Sequence, residues 1–196
     1  ANSKIHFTGI SSPKSIEYIK RSKESGIQVT CSITPYQVYF CDEDLQGYDT
    51  NLKLNPPLRT RADMEAIQKA LLDGTIDCIA SHHLPHHWDN KVCEFEYARH
   101  GMIALETMFA VLMSCGLPAK DFVQMQTINV RDIFGLSIPE IKEGETASST
   151  LFVPGAAFTF EETMIRSKSK NSPFIGKKLT GKVVGIINKS NIHLNN

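Results

Sequence analysis

The chain has 196 residues, enough for one medium domain or for one domain with an appendage. Its 21 basic and 21 acidic residues cancel, which excludes a general electrostatic pull toward nucleic acid or anionic membrane. No apolar run approaches the ~18–20 residues that span a bilayer.

In chain order, "KIHFTG" reads as a strand already under way, so we expect a piece of a longer protein. "SSPKSIEYIKRSKESG" then reads as a helix: Ser12 suits the N-cap, Pro13 the first helical position and Gly26 the stop, with Ile16 and Ile19 on one face. The β-branched "IQVTCSIT" is a second strand. Residues 35–59 read as irregular, since "NPPLR" suits neither a helix nor a central strand. "TRADMEAIQKALLDG" is a second helix, with Thr60 and Asp63 as a capping box and Met64, Ile67 and Leu71 as its buried stripe. "TIDCIAS" is a third strand running into "HHLPHHWDNK", and "GMIALETMFAVLMSCG" and "AKDFVQMQTINV" read as apolar helices. Strand–helix alternation over residues 1–130 predicts parallel strands with right-handed crossovers.

After "IFGL" the texture changes. "ETASSTLFVPGAAFTF" and "LTGKVVGIINKSNIHL" predict short strands punctuated by Gly, Pro, Asn and Ser. The basic stretch between them, "RSKSKNSPFIGKK", reads as a solvated surface loop. Cys31, Cys41, Cys78, Cys93 and Cys115 are odd in number and show no CxxC spacing, which fits reduced thiols of a cytoplasmic protein better than a disulfide frame or a zinc ribbon.

Parallel α/β folds carry their reactive groups on loops leaving the carboxyl ends of strands. Three such exits hold distinctive polar residues: His6 with "FTGISS", "TPYQVYF" with "NLKLNPPLR", and "SHHLPHHWDNK". The last packs His82, His83, His86 and His87, four of the seven histidines, around one proline. Neutral imidazole is a common zinc ligand and the usual proton carrier near neutral pH. If Cys78 and Ala80 face inward, strand alternation aims His82 inward and His83 toward the helices. No HExxH pattern occurs, so a metal site, an acid–base site and a solvated polar loop all remain open on spacing alone.

Three stretches, "HFTGISSPKSIEYIKRSKESGIQVTCSITPYQVYF", "NLKLNPPLRTRADMEAIQKALLDGTIDCIASHHLPH" and "FEYARHGMIALET", resemble in order the C-terminal half of dihydroorotases of the amidohydrolase superfamily. The tail "RSKSKNSPFIGKKLTGKVVGIINKSNIHL" is similar to that family's end. The resemblance implies an α/β fold, the C-terminal portion of a (β/α)8 TIM barrel, about its strands six to eight, over residues 1–145. Residues 146–196 would form a small β-rich appendage. It also implies one or two zinc ions, a metal-bound hydroxide attacking the ring amide of dihydroorotate to give N-carbamoyl-aspartate, and a role in pyrimidine biosynthesis. Residue by residue, His6 matches the sixth-strand histidine ligand, Asn55 a substrate-binding asparagine with Arg59 ending its motif, and His86 the histidine that grips the substrate carboxylate. Gly101 lies in the loop whose backbone meets the substrate ring. His82 stands where the family has an aspartate that is both ligand and proton shuttle, which makes His6 and His82 the expected metal ligands and His82 the expected catalytic group. The expected partners are the small-molecule substrate, further copies of the chain in a homo-oligomer, and aspartate transcarbamoylase, with no nucleic acid and no membrane.

Two departures stand out. Where the family reads Thr-Asp-His-Ala-Pro-His, this chain reads Ser81-His82-His83-Leu84-Pro85-His86, and the family's Thr-Pro-His-His is Thr34-Pro35-Tyr36-Gln37. The family's His-x-His pair, fourth-strand ligand and fifth-strand histidine have no counterpart in residues 1–196. Two alternatives follow: a catalytically silent homologue with a structural or interaction role, or another cyclic amidohydrolase of hydantoinase or allantoinase type.

Overall fold

A computed structural model of the protein describes residues 3–138 and 140–195. Strand β1 (Ile5–Phe7) is followed by helix α1 (Pro13–Glu24), strand β2 (Val29–Ile33), helix α2 (Pro35–Tyr39), helix α3 (Arg61–Leu72) and strand β3 (Cys78–Ile79). The three strands pair in the order β1-β2-β3, all parallel. Local chemistry explains the helices. The Ser15 backbone N–H donates to Ser12 Oγ while Pro13 occupies the first turn, and Thr60 and Asp63 cap α3 reciprocally. Ile16 and Ile19 of α1 pack with Ile67, Ala70 and Leu71 of α3 over Val29, Cys31 and Ile33.

One partly buried ion pair fastens this layer. Lys23 Nζ, in the last turn of α1, donates to Asp77 Oδ2 (2.7 Å) and to the Thr75 carbonyl (2.8 Å). The same Asp77 oxygen accepts from the Cys31 backbone N–H (2.8 Å), so helix, central strand and the start of β3 share one carboxylate. Burial pushes the Cys31 and Cys78 thiols up to about 11, so both behave as small apolar groups.

Several elements differ from expectation. The irregular stretch expected at 35–59 begins with a helical turn, because Pro35 takes the first helical position where its missing N–H costs nothing. Tyr36 and Gln37 are therefore buried, Tyr36 within a second core and Gln37 accepting from Thr34 Oγ1 (2.9 Å). The helix expected from Gly101 starts only at α4 (Met108–Ser114), since Gly101 has φ +111° and Met102 bridges His83 in extended backbone. Helices α5 (Ala119–Val123) and α6 (Val130–Phe134) are joined without a break by a π-helical segment, Gln124–Asn129. From this segment Gln126 Nε2 donates to the Ile79 carbonyl (2.9 Å) and Asn129 Nδ2 to the Asp77 carbonyl (2.7 Å).

The second sheet contains β4 (Ser148–Thr159), β5 (Lys178–Asn188) and β6 (Asn191–Leu194), all antiparallel. The expectation of short strands is corrected: β4 has 12 residues and β5 has 11. Pro154 and Gly155 do not end β4, because the irregular register between Val153 and Ala157 absorbs them. The stretch expected as a solvated loop is corrected as well. Asn171, Ser172 and Phe174 are only 6%, 4% and 1% exposed, and the Phe174 ring packs on Phe40 and Tyr39. Phe174 belongs to the second core with Tyr36, Leu54, Met102, Phe160 and Leu179. Among the described residues, no helix is long and apolar enough to cross a membrane.

Candidate functional site

The residue alternation of β1 and β2 places four polar side chains on a common line. His6 Nδ1 lies 2.8 Å from Thr30 Oγ1, and His6 Nε2 lies 3.2 Å from Ser32 Oγ. Ser32 Oγ donates to Thr8 Oγ1 (3.0 Å), which lies 2.8 Å from His82 Nε2. The proton order follows. Because the Ser32 hydrogen goes to Thr8, His6 Nε2 carries the N–H given to Ser32, while Thr8 Oγ1, with one hydrogen and a second lone pair, can donate to His82 Nε2 or accept from it. In its neutral form His6 therefore accepts at Nδ1. Burial lowers both imidazoles below their ordinary value, with Asp77 opposing the effect at His6.

His82 reaches this cluster by a different route from the one expected. Strand β3 ends at Ile79, and His82 adopts φ +42°, so strand alternation does not carry to it. A left-handed turn brings the Cε1 edge of its ring against Gly9, where an added Cβ would sit 2.7 Å from His82 Cε1. Its neighbour His83 does face the helices: His83 Nδ1 accepts from the backbone N–H groups of Ala104 (3.1 Å) and Leu105 (3.2 Å), just ahead of α4. His87 stays at the surface, 3.1 Å from Asp89. Thus one loop assigns its four histidines to four different tasks.

His86 belongs to a second cluster. Its Nε2–H donates to the His100 carbonyl (2.8 Å), and its backbone N–H donates to Asn171 Oδ1 (3.2 Å). With Nε2–H committed, the donor left for an anion is the Nδ1–H of the imidazolium form. Gly101, one residue beyond His100, donates its N–H to the Lys53 carbonyl (2.8 Å), which ties it to the segment carrying Asn55. Asn55 is exposed, precedes Pro56 through a cis peptide bond, and makes no side-chain hydrogen bond among the described residues. Arg59 turns away, its Nε donating to Ser11 Oγ (3.3 Å).

A buried ammonium holds these loops together. Lys91 Nζ donates to the carbonyls of Thr50 (2.7 Å), Arg99 (2.8 Å) and Gly101 (2.9 Å), and burial lowers it to about 8. The structure thus places His6 and His82 in one cluster and His86 and Gly101 in another, joined through Asn171, while Asn55 makes no side-chain hydrogen bond to either among the described residues. Sequence reasoning missed Thr8, Thr30, Ser32, Lys91 and Asn171. The first three carried a readable signal, since His6 and Thr8, and Thr30 and Ser32, stand two apart on strands and share a face.

Among the described residues, no group of three or more His, Cys, Asp or Glu is placed to hold a metal ion. His6 and His82 are separated by the Ser32 and Thr8 hydroxyls, which already engage both Nε2 atoms. Zinc centres take three or four protein ligands, so these residues do not fit a zinc ion on their own.

No family model matches the chain. It is 41% identical over 184 residues to a dihydroorotase from Geotalea daltonii, an alignment covering 92% of the chain and 43% of that protein. It is 40% identical over 190 residues to a dihydroorotase from Caldicellulosiruptor saccharolyticus, covering 94% of the chain and 44% of that protein. The chain therefore spans less than half the length of the curated relatives it matches. Among solved structures, the L-hydantoinase (dihydropyrimidinase) from Arthrobacter aurescens superposes with a TM-score of 0.90 at 22% identity, over 98% of the chain and 45% of that protein. At that identity the likeness speaks to the α/β fold alone.

Proposed function

We propose, for a chain that is a dihydroorotase relative in the amidohydrolase superfamily and corresponds to a C-terminal part of such a protein, that the complete protein hydrolyses a cyclic amide C–N bond. We assign dihydroorotate as the substrate, opened to N-carbamoyl-aspartate or closed from it in pyrimidine biosynthesis. The observation that carries this reading is the chain of contacts from His6 through Ser32 and Thr8 to His82, which joins all three parallel strands at their carboxyl ends. Residues 1–145 would then be the part of a (β/α)8 barrel that holds its sixth to eighth strands, and residues 146–196 the small β-rich domain.

In this reading the ring lies against the Gly101 backbone, Asn55 hydrogen-bonds it, and His86 meets its carboxylate. His82, kept neutral near pH 7 by burial, starts as a base. It takes the proton of the attacking water at Nδ1, with Nε2–H held by the Thr8 hydroxyl, and returns it to the ring nitrogen as the C–N bond breaks. The zinc implied by the family needs ligands in addition to His6 and His82. Assembly as a homo-oligomer, association with aspartate transcarbamoylase and a cytoplasmic location belong to the same reading.

The test uses the full-length protein with dihydroorotate, N-carbamoyl-aspartate and hydantoin as substrates. Turnover of the first two should fall as pH drops through the histidine range, and His82→Asp should flatten that fall. An unchanged pH profile in the variant refutes the role of His82. Absence of turnover on every cyclic amide refutes the enzyme reading in favour of a silent homologue, and preference for hydantoin reassigns the substrate.

A further inference from the structure

Residues 165–174 leave the neighbourhood of β4 and lie across the histidine loop before the chain enters β5. Two side chains tie this strap down. Glu106 Oε1 accepts from the backbone N–H groups of Arg166 (3.0 Å) and Ser167 (2.8 Å). Asn171, only 6% exposed, does more. Its Oδ1 accepts from the His86 N–H (3.2 Å), and its Nδ2 donates to the carbonyls of Leu84 (2.9 Å) and Gly101 (3.4 Å). Its own carbonyl accepts from the Ile103 N–H (3.0 Å). The amide has one workable orientation, because two carbonyls face Nδ2 and one N–H faces Oδ1. Phe174, three residues on, is locked into the second core and fixes the strap's height over the loop.

We infer that Asn171 is a positioning residue of the candidate site: one buried amide sets the loop carrying His86 against the turn at Gly101. The inference rests on the reading that His86 and Gly101 meet the substrate. An asparagine at this place is not interchangeable with its isostere. Aspartate would set a carboxylate against two carbonyl oxygens, whereas alanine leaves the His86 N–H and the Leu84 carbonyl without their partner. The ordering Asn, then Ala, then Asp is thus a signature of the amide itself rather than of volume.

The experiment compares the full-length protein with Asn171→Ala and Asn171→Asp, using Lys168→Ala as a surface control. Hydrogen exchange at the His86 amide should quicken ~10-fold or more in Asn171→Ala, with amides of β2 such as Ile33 unmoved. The KM for dihydroorotate should rise ~10–100-fold with kcat changed less than ~3-fold, and Asn171→Asp should be worse than Asn171→Ala. Unchanged exchange at His86, equal acceleration at Ile33, or a loss confined to kcat overturns the inference. If the wild-type protein opens no cyclic amide, the functional reading fails by itself, and the exchange measurement still decides whether Asn171 sets the loop.

Discussion

Replacing Lys91 by methionine keeps the buried stem and removes the ammonium that bridges Thr50, Arg99 and Gly101. The cost follows from what each carbonyl has left. The Gly101 carbonyl still accepts from Asn171 Nδ2 at 3.4 Å, the Thr50 carbonyl still accepts from the Lys53 N–H at 3.1 Å, and Arg99 is exposed enough to take water. No carbonyl is stranded, so the loss is that of the charged hydrogen bonds alone, roughly 1.5–3 kcal/mol before the relief of an ammonium's burial is subtracted. We expect Lys91→Met to be ~2 kcal/mol less stable near neutral pH in urea unfolding of the full-length protein. The pH dependence carries the sharper test. Burial lowers the folded ammonium from 10.5 to about 8. Between those values the unfolded chain holds a proton that the folded chain has shed, so this group adds stability as pH rises through the window, and the gap between wild type and variant widens. Cys31, Cys78 and Cys115, each pushed up to about 11 by burial, act in the opposite direction above 9, but equally in both proteins. A gap that stays constant across the window refutes the assignment of Lys91 as a buried, titrating tie.

Gly101→Ala forces a side chain onto φ +111° and sets its Cβ 2.6 Å from Leu84 Cδ1, which should cost ~3 kcal/mol. Adding Leu84→Ala should recover only the contact part, and full recovery would show that the backbone is unstrained. Asp77→Asn keeps an acceptor for the Cys31 N–H but breaks the pair with Lys23, and should cost ~1 kcal/mol. A double-mutant cycle with Lys23→Met that shows no coupling would remove the pair from the account. His6 and His82 both sit below the ordinary 6.5 through burial, so their contribution is complete above that value and is lost as pH falls beneath it. Urea midpoints that do not decline on acidification, or decline equally in His82→Asn, would contradict this.

Caps were the most legible part of the fold. Ser12 with Pro13, and Thr60 with Asp63, were read from residue type alone because each acts within three positions of itself. The parallel pairing of the strands followed from alternation, and His6 and His82 lie in one cluster linked through Ser32 and Thr8, although the left-handed turn at His82 was invisible to a period-two argument. Asn171 was illegible for a different reason. Its stretch is polar by composition, and its burial depends on partners at Leu84, His86 and Gly101 that lie 87, 85 and 70 residues away. Pro154 misled in the same way, since only the pairing with β5 lets β4 run through it.

The separation of His86 from Asn171 by 85 residues also has a meaning in time. A ribosome adds about 5–20 residues per second, so the histidine loop emerges roughly 4–17 s before the amide that orders it. A hairpin or a helix settles in microseconds, and the loop therefore outlives its own local folding by several orders of magnitude without its brace. During translation its shape rests on near contacts such as the Leu84 N–H with the Met102 carbonyl. The loop carrying His86 thus takes its native shape only after a residue made well behind it has emerged.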